Sequence, residues 1–117
     1  MQFLLMCCFE ETRWAKLPEA ERPRIMGEYG KLMQELQASG RQLASAKLDR
    51  CASAVTVRQK DGRPFFTDGP FAETKEQLGG YHLIECGDKD EAVSIANRFR
   101  PLPAGCSIEV RRVLSLE

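Results

Sequence analysis

The 117 residues set 17 Lys plus Arg against 17 Asp plus Glu, a formal net charge of zero in a mass of 13.2 kDa. That size supports one hydrophobic core with little left for a second, so a single domain over residues 1–117 is expected. A balanced chain has no summed positive field to draw it to nucleic acid or to an acidic membrane, and neither partner is expected.

The apolar run from Phe3 to Phe9 has no basic residue before it and ends at Glu10 and Glu11. Neither a signal peptide nor a membrane span fits that pattern, and a cytoplasmic protein is expected. Without helical spacing, Gln2 to Phe9 reads as a strand with both faces covered. The five cysteines are an odd number without a Cys-x-x-Cys pair, and a single histidine is present to complete a zinc site. They read as reduced thiols, mostly buried, with no metal and no cofactor expected.

After the turn-rich Glu10 to Pro23, apolar residues recur at three- and four-residue spacing as Ile25, Tyr29, Leu32, Met33 and Leu36. Arg24, Glu28, Lys31 and Glu35 fall on the opposite face, so the segment predicts an amphipathic helix closed by Gly40. Gln42 to Ala46 predicts a short strand, and Ser53 to Gln59 a better one by its alternation. Asp61-Gly62 follows, the dipeptide that suits a type I′ turn, and pairs Val55–Gln59 with Arg63–Thr67 in a hairpin.

Tyr81 to Cys86 reads as a further strand. Asp88 and Glu91 then open a second helix, striped by Ala92, Ile95, Ala96 and Phe99. Arg98 and Arg100 suit its C-terminal dipole, and Pro101 stops it. Ser107 to Val113 supplies the last strand. The order β-α-β-β-β-α-β is two strand-helix-strand halves joined through a hairpin, a ferredoxin-like split βαβ arrangement with an added strand. Right-handed crossovers place both helices on one face, and a second copy is expected against the bare one, giving a homodimer with a cavity between or beside the sheets.

One segment, Phe65 to Tyr81, departs from this ordinary pattern: FFTDGPFAETKEQLGGY. Gly69 permits backbone angles closed to other residues and Pro70 fixes its own φ, so the chain corners sharply at Asp68. The Asp68 carboxylate either accepts backbone N–H groups of its own turn or stands in a cleft as a general base. Gly79-Gly80 either admits a close neighbour at the strand start or ends a short turn over Thr74 to Leu78.

These residues carry a resemblance. TDGPFAETKEQLGGYHLIE resembles the YCII-related family in its branch marked by Asp68, Gly69, Pro70 and Phe71. The similarity extends to the opening strand, to EYGKLMQELQASG and to the closing SIEVRRV. It implies a dimeric ferredoxin-like α+β barrel. Some members resemble enzymes with a histidine on the first helix and an aspartate after the next strand. Here Tyr29 stands at the helix position, and no acid stands near Ala46. The branch is also associated with genes for extracytoplasmic-function sigma factors, which implies an accessory or regulatory role as the alternative to an enzyme.

Other candidates follow from the strand faces. Tyr81 and Glu85 share one face of their strand, Glu109 and Arg111 one face of the last. If those faces coincide, the bare side of the sheet holds an aromatic ring, carboxylates and a guanidinium, the make-up of a small-molecule site. Tyr29 is added for its hydroxyl, which needs a partner, and Lys75 for its charge beside the corner. His82 shares a face with Ile84 and Cys86 and reads as core packing or a satisfied hydrogen bond. The expectation is a small-molecule pocket with Asp68 as catalytic acid or base and with Tyr29, Lys75, Tyr81, Glu109 and Arg111 as ligand contacts. The reaction would be of lyase, isomerase or hydrolase type.

Overall fold

Strand alternation and helix periodicity together build one layer of helices on one sheet. The computed structural model describes residues 1–72, 74–99 and 105–115. β1 (Gln2–Phe9) is followed by α1 (Glu11–Ala15), α2 (Glu21–Ala38) and β2 (Gln42–Lys47). β3 (Val55–Lys60), β4 (Arg63–Asp68), β5 (Gln77–Glu85), α3 (Lys89–Asn97) and β6 (Cys106–Arg112) complete the order. The main sheet runs β2-β5-β1-β6 with antiparallel neighbours throughout, the ferredoxin-like order expected for two split βαβ halves.

The helix-covered face is the core. Phe3, Leu5 and Ile84 from the strands meet Leu32 and Leu36 of α2 and Ala92, Ile95 and Ala96 of α3, with Cys86 and Phe99 beside them. Of the expected stripes, Leu32, Leu36, Ala92, Ile95, Ala96 and Phe99 are buried and Ile25, Tyr29 and Met33 half-buried, while Arg24, Glu28, Lys31 and Glu35 are exposed. Asp88 caps α3 by accepting the Glu91 N–H at 2.8 Å, and the Glu91 carboxylate reaches back to accept the Gly87 N–H at 2.8 Å. The Arg100 and Pro101 assigned to the end of that helix lie outside the described residues. Gly40 leaves α2 with φ +72°, the left-handed geometry of a helix C-terminus. All five cysteines are free thiols, but Cys86 alone is buried and the other four are half-buried.

Three elements differ from expectation. The segment after β1 forms the short helix α1, whose Glu11 carboxylate accepts the Cys51 N–H at 2.9 Å across 40 residues. β5 begins at Gln77, so Gly79 and Gly80 lie inside a strand rather than closing a turn. A Cβ on Gly80 would stand 2.8 Å from the Ala46 carbonyl oxygen, and one on Gly79 would enter the Phe9 ring. The pair is there to let a neighbouring strand and an aromatic ring approach.

The third difference concerns the hairpin. Asp61 (φ 53°) and Gly62 (φ 78°) make the expected turn, and Val55–Lys60 pairs with Arg63–Asp68 residue by residue. The two strands do not join the main sheet; they form a two-stranded sheet of their own. A local Asp-Gly turn dictates pairing between adjacent strands, whereas the corner at Gly69-Pro70 decides where the pair points. At that root, Gly69 (φ 99°) donates its N–H to Ala54 O at 2.6 Å and accepts the Thr56 hydroxyl at 2.8 Å. Arg58 reaches past it to the Phe71 carbonyl at 2.6 Å. The resulting molecule is a thin plate, 47 × 45 × 20 Å, with a radius of gyration of 16.2 Å. A compact chain of this length has a radius of about 13 Å, and the projecting arm accounts for the difference.

Candidate functional site

The residues expected to form one site occupy three places. On the helix-covered side, the α2 stripe delivers Tyr29 to His82 of β5, and the phenol oxygen is hydrogen-bonded to His82 Nε2. His82 is 2% exposed and stacks on Phe99, ring centroids 5.1 Å apart; Tyr29 lies 5.3 Å from the same ring. Burial drives the histidine down to about 4 from 6.5 and pushes the phenol well above its ordinary value. Both groups are therefore neutral near pH 7, and the phenol is the natural donor to Nε2. His82 Nδ1 has no partner among the described residues. His82 is thus the core histidine with a satisfied nitrogen that its strand face predicted. The Tyr29 hydroxyl, expected to serve a ligand, is spent on it.

On the bare side of the sheet the remaining strand residues do converge. Residues paired across an antiparallel ladder point to the same face. The register sets Met6 of β1 opposite Tyr81 of β5 and Glu109 of β6, giving one row, Tyr81-Met6-Glu109. Leu4 stands opposite Leu83 and Arg111, giving the adjacent row, Leu83-Leu4-Arg111. Ala46 and Ala44 of β2 extend the two rows. Leu4, Met6, Tyr81 and Leu83 are half-buried, and Glu109 and Arg111 are exposed. The conditional coincidence of faces holds: one apolar floor carries a phenol, a carboxylate and a guanidinium. Glu85, on the same strand face, is held by the N-terminal ammonium at 2.9 Å.

Asp68 lies elsewhere. It ends β4, opposite Val55, and is exposed. Among the described residues no N–H donates to its carboxylate, and Gly69, not Asp68, makes the turn's hydrogen bonds. Within one chain Asp68 therefore joins neither Tyr29 nor the Tyr81 row. Lys75 is exposed in the loop before β5. Its neighbour Glu73 lies outside the described residues.

Surface concavities are lined by Lys60, Asp61, Arg63, Pro64 and Phe65 at the hairpin tip, and by Met1, Gln2, Glu85 and Arg112 to Ser115 at one end of the sheet. Neither includes Tyr81, Glu109 or the Tyr29–His82 pair. Among the described residues no three His, Cys, Asp or Glu side chains are grouped to hold a metal, and no helix is long and apolar enough to cross a membrane. Cys7 and Cys8 of β1 run beside β6, which begins at Cys106, and burial pushes Cys7 up to about 11, so it remains a thiol. What the sequence hid was the Tyr29–His82 bond. The one signal for it was that both sit on core-facing positions and each carries a polar atom that burial obliges to pair.

Comparison with known proteins bears on the whole chain. It is 33% identical over 112 residues, covering 95% of this chain and 90% of the relative, to an uncharacterized protein of Rhizobium meliloti (strain 1021). Residues 1–117 match the YCII-related domain from end to end. With that match and the ferredoxin-like strand order in hand, the chain belongs to the YCII-related family.

Proposed function

We propose that the protein is a homodimeric small-molecule domain whose site is built on the bare face of the sheet. The observation that supports this reading is the register that sets Tyr81, Glu109 and Arg111 on one apolar floor of Leu4, Met6 and Leu83. Small-molecule sites have this composition, a mostly apolar wall with a few convergent polar groups. Arg111 supplies a planar two-pronged donor for a carboxylate or phosphate, and Tyr81 supplies a ring edge and a hydroxyl. In this reading Asp68 is the acid–base group and Lys75 a peripheral cation. The neutral Tyr29–His82 pair lies on the helix-covered side of the sheet, outside this site, and groups shifted that far from neutrality are poor proton carriers near pH 7.

The test is a panel of small carboxylates, phosphates and phenols, scored by ligand-induced stabilisation and by turnover. Wild type, Arg111→Ala, Tyr81→Phe and Asp68→Asn are compared at one protein concentration. Arg111→Ala is expected to weaken binding of an anionic hit by about tenfold or more, and Asp68→Asn to cut turnover by about a hundredfold or more. Binding and turnover that survive all three changes would overturn the reading.

A further inference from the structure

The arm presents an unpartnered apolar face. Ladder pairing sets Val55 opposite Asp68 and Val57 opposite Phe66, and alternation puts these four residues on one face of the hairpin. Val57 is 61% and Phe66 67% exposed, and Phe71 just past the corner is 77% exposed. The main sheet presents a second such face, floored by Leu4, Met6, Tyr81 and Leu83. Each has two cross-strand rows, so spacing along the strands matches. Their charges are complementary, Asp68 at the end of the arm rows and Arg111 beside the Leu83-Leu4 row.

The area points the same way. The chain exposes 8559 Å². A compact monomer of this mass exposes roughly 6400 Å², leaving a surplus of about 2100 Å². A standard interface takes about 800 Å² from each partner, so the surplus covers one with room for the arm.

We propose that the hairpin crosses to a second copy of this chain and lays its Val55, Val57 and Phe66 face on that copy's bare sheet face, placing Asp68 beside Arg111. The contact is reciprocal in a two-fold dimer, so each site holds Tyr81, Glu109 and Arg111 from one chain and Asp68 from the other. This separates Asp68 from the other site residues in one chain and unites them in the pair. It rests on the dimeric reading above and adds the source of the acid.

The experiment is charge reversal in trans, read by sedimentation velocity on full-length protein. Asp68→Arg alone and Arg111→Asp alone each set like charges against each other at both contacts, and each is expected to weaken self-association by about a hundredfold. Mixed one to one, the variants set the introduced arginine against the introduced aspartate at one contact and leave the native Asp68 and Arg111 facing each other at the other. The mixture is expected to recover wild-type dimer affinity. Val57→Lys, on an exposed position that does not bear on folding, should weaken the dimer without rescue by either variant. If both single variants dimerise like wild type, the arm contact is wrong and the dimer stands. If each is weakened but the mixture stays weak, the two charges do not meet. A wild type that remains monomeric at high concentration removes both the dimer and the crossing arm.

Discussion

Acidification isolates the energetic role of His82. The perturbation is a change from pH 7 to pH 5, a window chosen because carboxylates titrate mostly below it. The imidazole titrates near 6.5 when unfolded and, through burial, near 4 when folded. A base whose folded value is depressed leaves the folded state holding fewer protons than the unfolded chain. Its stability contribution is complete above about pH 6.5 and is lost as pH falls toward 4. Integrating between those two values gives a loss of about 2 kcal/mol at pH 5, approaching 3 kcal/mol at pH 4. For a domain of this length 2 kcal/mol corresponds to a Tm decrease of roughly 8 °C. The assay is urea unfolding of wild type and His82→Phe at fixed protein concentration, at half-unit steps across the window. The variant removes the titrating group, so its stability should be lower at pH 7 but nearly flat down to pH 5. Equal slopes for the two proteins would refute the assignment of acid sensitivity to the Tyr29–His82 pair.

Backbone positions give sharper structural tests. Gly80→Ala drives a Cβ to 2.8 Å from the Ala46 carbonyl, so β2 must shift; a loss of about 1–3 kcal/mol in denaturant unfolding is expected. Gly30→Ala lies within α2 with nothing within 4 Å of the new Cβ, and should raise stability by about 0.5–1 kcal/mol in the same measurement. Asp88→Ala removes the cap on the Glu91 N–H and should cost about 1 kcal/mol, with amide exchange faster in the first turn of α3.

Most of the fold was legible because its signals are local. The α2 and α3 stripes, the Asp88 cap and the Asp61-Gly62 turn each depend on spacing within a few residues, and each stands where expected. The helix α1 escaped because five residues are too few to show a period. Sequence alone leaves Gly79-Gly80 between a close approach and a turn because the deciding neighbours are non-local: the carbonyl it accommodates is on Ala46, and the ring on Phe9. The detached hairpin escaped for the same reason, since pairing between β3 and β4 says nothing about a third strand. For the site, strand alternation grouped Tyr81 with Glu85 and Glu109 with Arg111, and only the register through β1 sets the two groups on one face. Periodicity put Tyr29 on the core-facing stripe but not its hydroxyl on His82, because a helix residue's reach across a core depends on packing.

The hydrogen bonds at Gly69 and Phe71 hold the root of the arm, and if the arm crosses to a second copy as proposed they set its direction. A lever clamped at its base aims in a single direction, so two molecules can grip each other and close, leaving nothing sticky at the ends. A lever free to swing offers its greasy side to whichever neighbour arrives, and head-to-tail strings grow. In the proposed crossing-arm pair, the glycine at the fulcrum would decide between a finite pair and an endless polymer, a consequence out of proportion to the absence of one side chain.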